Sequence, residues 1–66
     1  MSKFTKRQFD KIADQASAYA LEKDYDNAWA LTDGEVNQID LNLTSGKYVE
    51  ELRNLSYHYQ RMVERA

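Results

Sequence analysis

The stretch Tyr48-Val49-Glu50-Glu51-Leu52-Arg53-Asn54-Leu55-Ser56-Tyr57-His58-Tyr59-Gln60-Arg61-Met62-Val63-Glu64-Arg65-Ala66 carries apolar side chains at 48, 52, 55, 59, 62 and 66. Steps of four and three return each of these to one side of an α-helix, and Val49 and Val63 widen the stripe. The spacing predicts a helix over about 46–65. Such a stripe has two uses: it can pack on the rest of its own chain, or it can zip along a second copy and make a dimer.

The preceding Thr44-Ser45-Gly46 is the clearest turn, with Thr44 or Ser45 available to cap the helix after it. Proline is absent and only Gly34 and Gly46 are glycine, so helices are expected upstream as well. From Thr5 to Lys23 the residues Phe9, Ile12, Ala13, Ala16, Tyr19 and Ala20 fall on one helical face, which its alanines keep thin enough for close approach by a neighbour. Lys23-Asp24-Tyr25-Asp26-Asn27 then reads as a turn with a capped helix start at Asp24 or Asp26. Trp29, Val36, Ile39 and Leu43 continue on one face of a second helix. Thr32-Asp33-Gly34-Glu35 has the pattern of a capping box, so a break or restart near Thr32 is expected. The alternation Ile39, Leu41, Leu43 also admits a short strand. The fold expected is a single all-α domain over 1–66, with helices at about 5–23, 25–42 and 46–65. Its expected core is Ile12, Ala16, Tyr19, Trp29, Val36, Ile39, Leu52, Leu55, Tyr59 and Val63.

A chain of 66 residues supports only a small core, and stabilisation from outside is common at this size. With no cysteine and His58 as the only histidine, disulfides and a His/Cys metal site are not expected, which leaves self-association or a partner. Met1-Ser2-Lys3-Phe4-Thr5-Lys6-Arg7 has positive charge but no following apolar run, and nowhere do about 18 apolar residues follow one another. The reading is a cytoplasmic protein without a membrane span.

Catalysis needs an acid, base or nucleophile held in mutual reach. His58 lies beside the apolar stripe of the last helix, where a solvated histidine is expected. Glu50-Glu51 and Asp24-x-Asp26 read as a solvated face and a helix start, and the latter lacks the glycine and closing glutamate of a calcium loop. No catalytic, cofactor, metal or small-molecule site is therefore expected.

Charge is unevenly placed. Residues 1–13 hold Lys3, Lys6, Arg7 and Lys11 against Asp10, residues 14–51 balance to −7, and residues 52–66 balance to +2. Lys3, Lys6, Arg7 and Lys11 could together meet phosphates, which makes nucleic-acid binding an alternative reading. The net charge of −2 favours a protein partner instead. Eight aromatics are more than a small core buries, and tyrosine suits half-wet interfaces. Tyr57 projects about 160° from Tyr59 around the helix, among Glu50, Arg53, Arg61 and Glu64. The expected protein contacts are therefore Tyr57, Arg53, Arg61 and Glu50, together with the acidic turn Asp24, Asp26 and Asn27.

The segment from Ile12 to Ala28 resembles the helical hairpin of a tetratricopeptide repeat, with Ala16, Tyr19, Tyr25 and Ala28 at matching offsets and Lys23 where a glycine is usual. A single hairpin of this kind makes no solenoid. The run Ala18-Tyr19-Ala20-Leu21-Glu22-Lys23-Asp24-Tyr25-Asp26-Asn27-Ala28-Trp29-Ala30-Leu31 is also similar to the core of the ANR family, small negative regulators of AraC-type activators in enteric bacteria and their mobile elements. The likeness rests on a leucine-glutamate pair, an acidic-aromatic turn and a following Ala-x-Leu. The second half departs from the family's closing Phe-Cys. The resemblance implies a regulator of bacterial or phage origin that contacts a transcription factor directly. A phage accessory protein that inhibits a host defence or polymerase is a further alternative.

Overall fold

Thr5 opens the first helix. Its hydroxyl accepts from the Gln8 amide at 3.2 Å, and the Gln8 side chain accepts from the Thr5 amide at 2.9 Å, a reciprocal capping box. A computed structural model describes residues 3–65 and contains three helices: α1 Lys6–Leu21, α2 Tyr25–Leu41 and α3 Lys47–Arg65. The domain is all-α, with boundaries within two residues of those expected. Ala66, the end of the α3 stripe, lies outside the described residues.

Both connections are short because both helices end in the same hydrogen-bonded turn. After α1, Lys23 N–H donates to Ala20 C=O and Asp24 N–H to Tyr19 C=O, each at 2.9 Å. After α2, Leu43 N–H donates to Asp40 C=O at 3.3 Å and Thr44 N–H to Ile39 C=O at 3.0 Å. This is the Schellman pattern, which places one residue in the left-handed region where glycine is favoured. Here that residue is Lys23 (φ 60°) or Leu43 (φ 52°). The chain reverses twice, so α2 packs against both α1 and α3. The starts of α1 and α3 share one end of the domain with the end of α2.

Three local expectations need correction. α2 runs without a break through Thr32, whose fully buried hydroxyl donates to Ala28 C=O at 3.0 Å and also bonds Trp29 C=O at 3.1 Å. A threonine can satisfy itself inside a helix in this way, so the Thr-x-x-Glu pattern does not cap here. The strand at Ile39–Leu43 is replaced by the last turn of α2 and its terminal turn. At the start of α2, Asp24 is the N-cap residue, but its carboxylate accepts from Asn27 Nδ2 at 2.6 Å instead of capping a backbone amide.

The core has two parts. Phe4, Ile12, Ile39 and Leu52 are buried together, with Phe9, Leu31, Val36, Tyr48 and Val49 packed around them. Toward the other end, Ala16 and Ala28 are fully buried with Tyr59, flanked by Ala20, Tyr25, Trp29 and Leu55. Small residues let α1 and α2 approach closely there, and the Tyr59 ring fills the remaining space. The α3 stripe thus faces inward: Leu52 and Tyr59 are buried, and Tyr48, Leu55, Met62 and Val63 are half-buried. Trp29 and Val36 are likewise only half-buried. Tyr19 leaves the expected core and is 39% exposed, because α1 turns Ala16 and Ala20 toward its neighbours.

Phe4 was not expected in the core. It precedes α1, yet it is buried, and its amide donates to Ser45 C=O at 2.8 Å while Lys3 and Ser45 form an isolated parallel bridge. This close approach requires Gly46, whose φ is +133° and where a Cβ would sit 2.8 Å from the Phe4 carbonyl oxygen. The extended segment at Lys3–Phe4 is a latch across the α2–α3 turn.

Candidate functional site

The residues expected to contact a protein fall into two groups. On α3, Glu50, Arg53, Tyr57 and Arg61 repeat at three or four positions and share an exposed face. Tyr57 is 60% exposed, with the Arg61 guanidinium 5.8 Å from its ring centroid, a cation–π arrangement between two exposed side chains. Arg53 has a different engagement: it forms a two-pronged ion pair with Asp40 of α2. That pair joins α2 to α3 and holds the guanidinium close to the α2 end. The second group is the turn. Asp26 and Asn27 are exposed and Asp24 is half-buried, with Asn27 and Asp24 bonded to each other. Among the described residues no ion pair links this turn to the α3 face.

The basic residues near the start of the chain are all exposed, and three of them line two concavities, Lys3 bordering both. Lys3 and Lys11 border a groove between α1 and α2, of about 510 Å³, rimmed by Gln8, Gln15, Gln38 and Asn42 over a floor of Ile12 and Ile39. Lys3 and Lys6 instead line a cleft between the latch and the start of α3, where Lys47 joins them. Lys6 Nζ lies 2.7 Å from Asp10, and the hydrogen bond and charge of that carboxylate raise the lysine's pKa above its ordinary value. Arg7 borders neither concavity.

Lys47 was missed because linear charge assigns it to the acidic middle, while the second chain reversal carries it to Lys3. Leu41 and Leu43 were expected as part of an apolar pattern but are 76% and 75% exposed. Leu43 carries the left-handed turn that would favour a smaller residue, a signal that the Schellman hydrogen bonds alone could not announce from sequence. His58 is exposed and meets the edge of Tyr59, with ring centroids 5.4 Å apart. No described helix is long and apolar enough to cross a membrane.

Comparison with family models, curated proteins and solved structures finds no match to the chain.

Proposed function

We propose that this chain is a small, non-enzymatic, cytoplasmic regulator of bacterial or phage origin that acts by direct contact with another protein, a transcription factor in the reading suggested by the ANR resemblance. The observation that carries the proposal is Tyr57, 60% exposed and paired with Arg61 on a face that the chain's own packing leaves open. Tyrosine and arginine are the residue types that concentrate binding energy at protein interfaces. Exposed Leu41 and Leu43 add apolar surface that the fold does not use. The resemblance of residues 12–28 to a tetratricopeptide hairpin belongs to the same reading; Ala16 and Ala28, two of the positions that carry it, share one buried cluster.

A pull-down with the tagged full chain from an enteric lysate, beside Tyr57→Ala, tests this. A stoichiometric protein recovered by the parent and lost with Tyr57→Ala is expected. Recovery of no protein, or recovery that depends only on co-purifying DNA, would count against it. Nucleic-acid binding through Lys3, Lys6, Arg7 and Lys11 is the second reading, supported by the exposure of all four. It requires binding that falls steeply with salt and with Lys6→Glu/Arg7→Glu. A phage accessory inhibitor of a host enzyme uses the same surfaces with a different target, and the identity of the recovered protein separates it from the first reading.

A further inference from the structure

The cleft between the latch and α3 combines two properties that neither helix has alone. Lys3, Thr5, Lys6 and Lys47 line it together with the aromatic residues Phe4 and Tyr48, and it is an open cleft of about 410 Å³. The aromatic part of that lining is firm: Phe4 is buried in the core, and the Tyr48 ring packs on Phe9 with centroids 5.8 Å apart. Of the three lysines, Lys6 already has Asp10 as a partner, whereas no described carboxylate lies within ion-pair distance of Lys3 or Lys47. The Lys47 ammonium stands over the Tyr48 ring, 5.2 Å from its centroid, which holds its charge against the aromatic surface. Two cations that form no ion pair among the described residues, one of them over an aromatic ring, are complementary to a carboxylate adjoining an apolar side chain.

Building on the protein-contact reading above, we propose that this cleft docks an acidic peptide segment of the partner. An aromatic or large aliphatic side chain of that segment rests chiefly on half-buried Tyr48, beside the small exposed edge of Phe4, and its neighbouring Asp or Glu carboxylates meet Lys3 and Lys47. The charge pattern around the cleft selects a peptide over a nucleic-acid strand. Glu50 and Glu51 follow Lys47 within about one helical turn, roughly 5 Å along α3, which is inside the Debye length of about 8 Å at physiological salt. A continuous phosphate backbone leaving the cleft along α3 would meet these acids, whereas a peptide carries its charges at discrete positions and can present neutral residues there.

The test is fluorescence anisotropy of the full chain with a labelled synthetic peptide in which Glu and Asp flank a central Phe. Comparison ligands are the same peptide with Phe replaced by Ala, its Gln/Asn counterpart, and single-stranded oligo-dT. The Glu/Asp–Phe peptide is expected to bind best. Lys3→Glu/Lys47→Glu should weaken it by about tenfold or more, and Lys3→Arg/Lys47→Arg should retain it. Both lysines are exposed, and circular dichroism verifies that each variant is folded. Amide shifts in the labelled protein should concentrate at Phe4, Thr5, Lys47 and Tyr48. Absence of binding, equal binding of the Ala peptide, tighter binding of oligo-dT, or shifts confined to the Tyr57 face would each overturn the proposal. Capture of a stoichiometric lysate partner by Lys3→Glu/Lys47→Glu at parental yield would also overturn it, while leaving the protein-contact reading standing.

Discussion

The two ends of the bundle close by the same backbone device yet are packed and charged differently. At the end formed by the α1–α2 turn, fully buried Ala16 and Ala28 bring two helices together under Tyr59, and the turn displays Asp24 and Asp26. At the other end the side chains are large, Phe4, Ile12, Ile39 and Leu52, and the first of them comes from outside the helices. Close helix approach suffices at the first end. The second needs an added aromatic to fill it, and the segment that delivers Phe4 also delivers Lys3 to Lys47. A packing requirement and a cationic cleft thus arise from one latch.

The largest effects should come from each end's packing. Leu52 is fully buried in the large-residue cluster, so Leu52→Ala should cost about 2–5 kcal/mol, enough to unfold much of a domain this small. Ala28→Leu, at the close-packed end, should cost about 1–3 kcal/mol by overpacking. Urea titration checks both. Equal tolerance of larger side chains at residue 28 and of smaller ones at residue 52 would erase the contrast between the ends.

The two glycines sharpen it further. Gly46→Ala should destabilise by about 1–3 kcal/mol, because it combines a positive φ with a Cβ 2.8 Å from the Phe4 carbonyl oxygen. Gly34→Ala should stabilise by about 0.5–1 kcal/mol, since a Cβ there meets nothing within 4 Å and the position is inside α2. Opposite shifts in melting temperature are the expected result. At the turns, Lys23→Gly and Leu43→Gly should each stabilise by up to about 1 kcal/mol by relieving left-handed backbone at a non-glycine residue. Thermal melts of the two variants compare the turns directly.

The smallest effect is alkaline. Burial, and secondarily the charge of Tyr25, raise the Tyr59 pKa above its ordinary value of 10.0. The folded state therefore holds this proton more tightly than the unfolded chain. Its contribution to stability is present below about pH 10 and is lost as pH rises through the raised folded value. Tyr59→Phe should flatten the decline in stability attributable to this group, measured by denaturant midpoint against pH.

Helix positions were legible in the sequence because periodicity and the turn residues at 24–27 and 44–46 agree with one another, whereas the reciprocal Thr5–Gln8 cap emerged only from the structure. The apolar stripe of α3 was also readable from the spacing of Leu52, Leu55 and Tyr59, but spacing alone left open whether it packs on α1 and α2 or on a second copy; Leu52 and Tyr59 are buried within the chain itself. Phe4 was not, since it stands in a charged stretch before any periodic segment and is buried by a long-range contact with Ser45 and Gly46. Tyr19 has the spacing of a core residue, but spacing fixes a face only to within the width of a side chain, and the alanines beside it take the interior. Thr32 shows that a capping pattern and a self-satisfied buried threonine look alike in sequence. For the candidate site, the Tyr57–Arg61 face follows from helical geometry, whereas the Lys3–Lys47 cleft depends on chain reversal and could not be read from linear charge.

The claim on which the rest depends is that Phe4 closes the large-residue end and thereby builds the cleft. Aromatic-to-methyl nuclear Overhauser spectroscopy on the full chain tests it most directly. Cross-peaks from the Phe4 ring to Ile12, Ile39 and Leu52 methyls are predicted, together with a Phe4 amide protected from exchange by Ser45. A Phe4 ring at random-coil shifts with no such cross-peaks, beside three intact helices, would contradict the latch and the cleft with it.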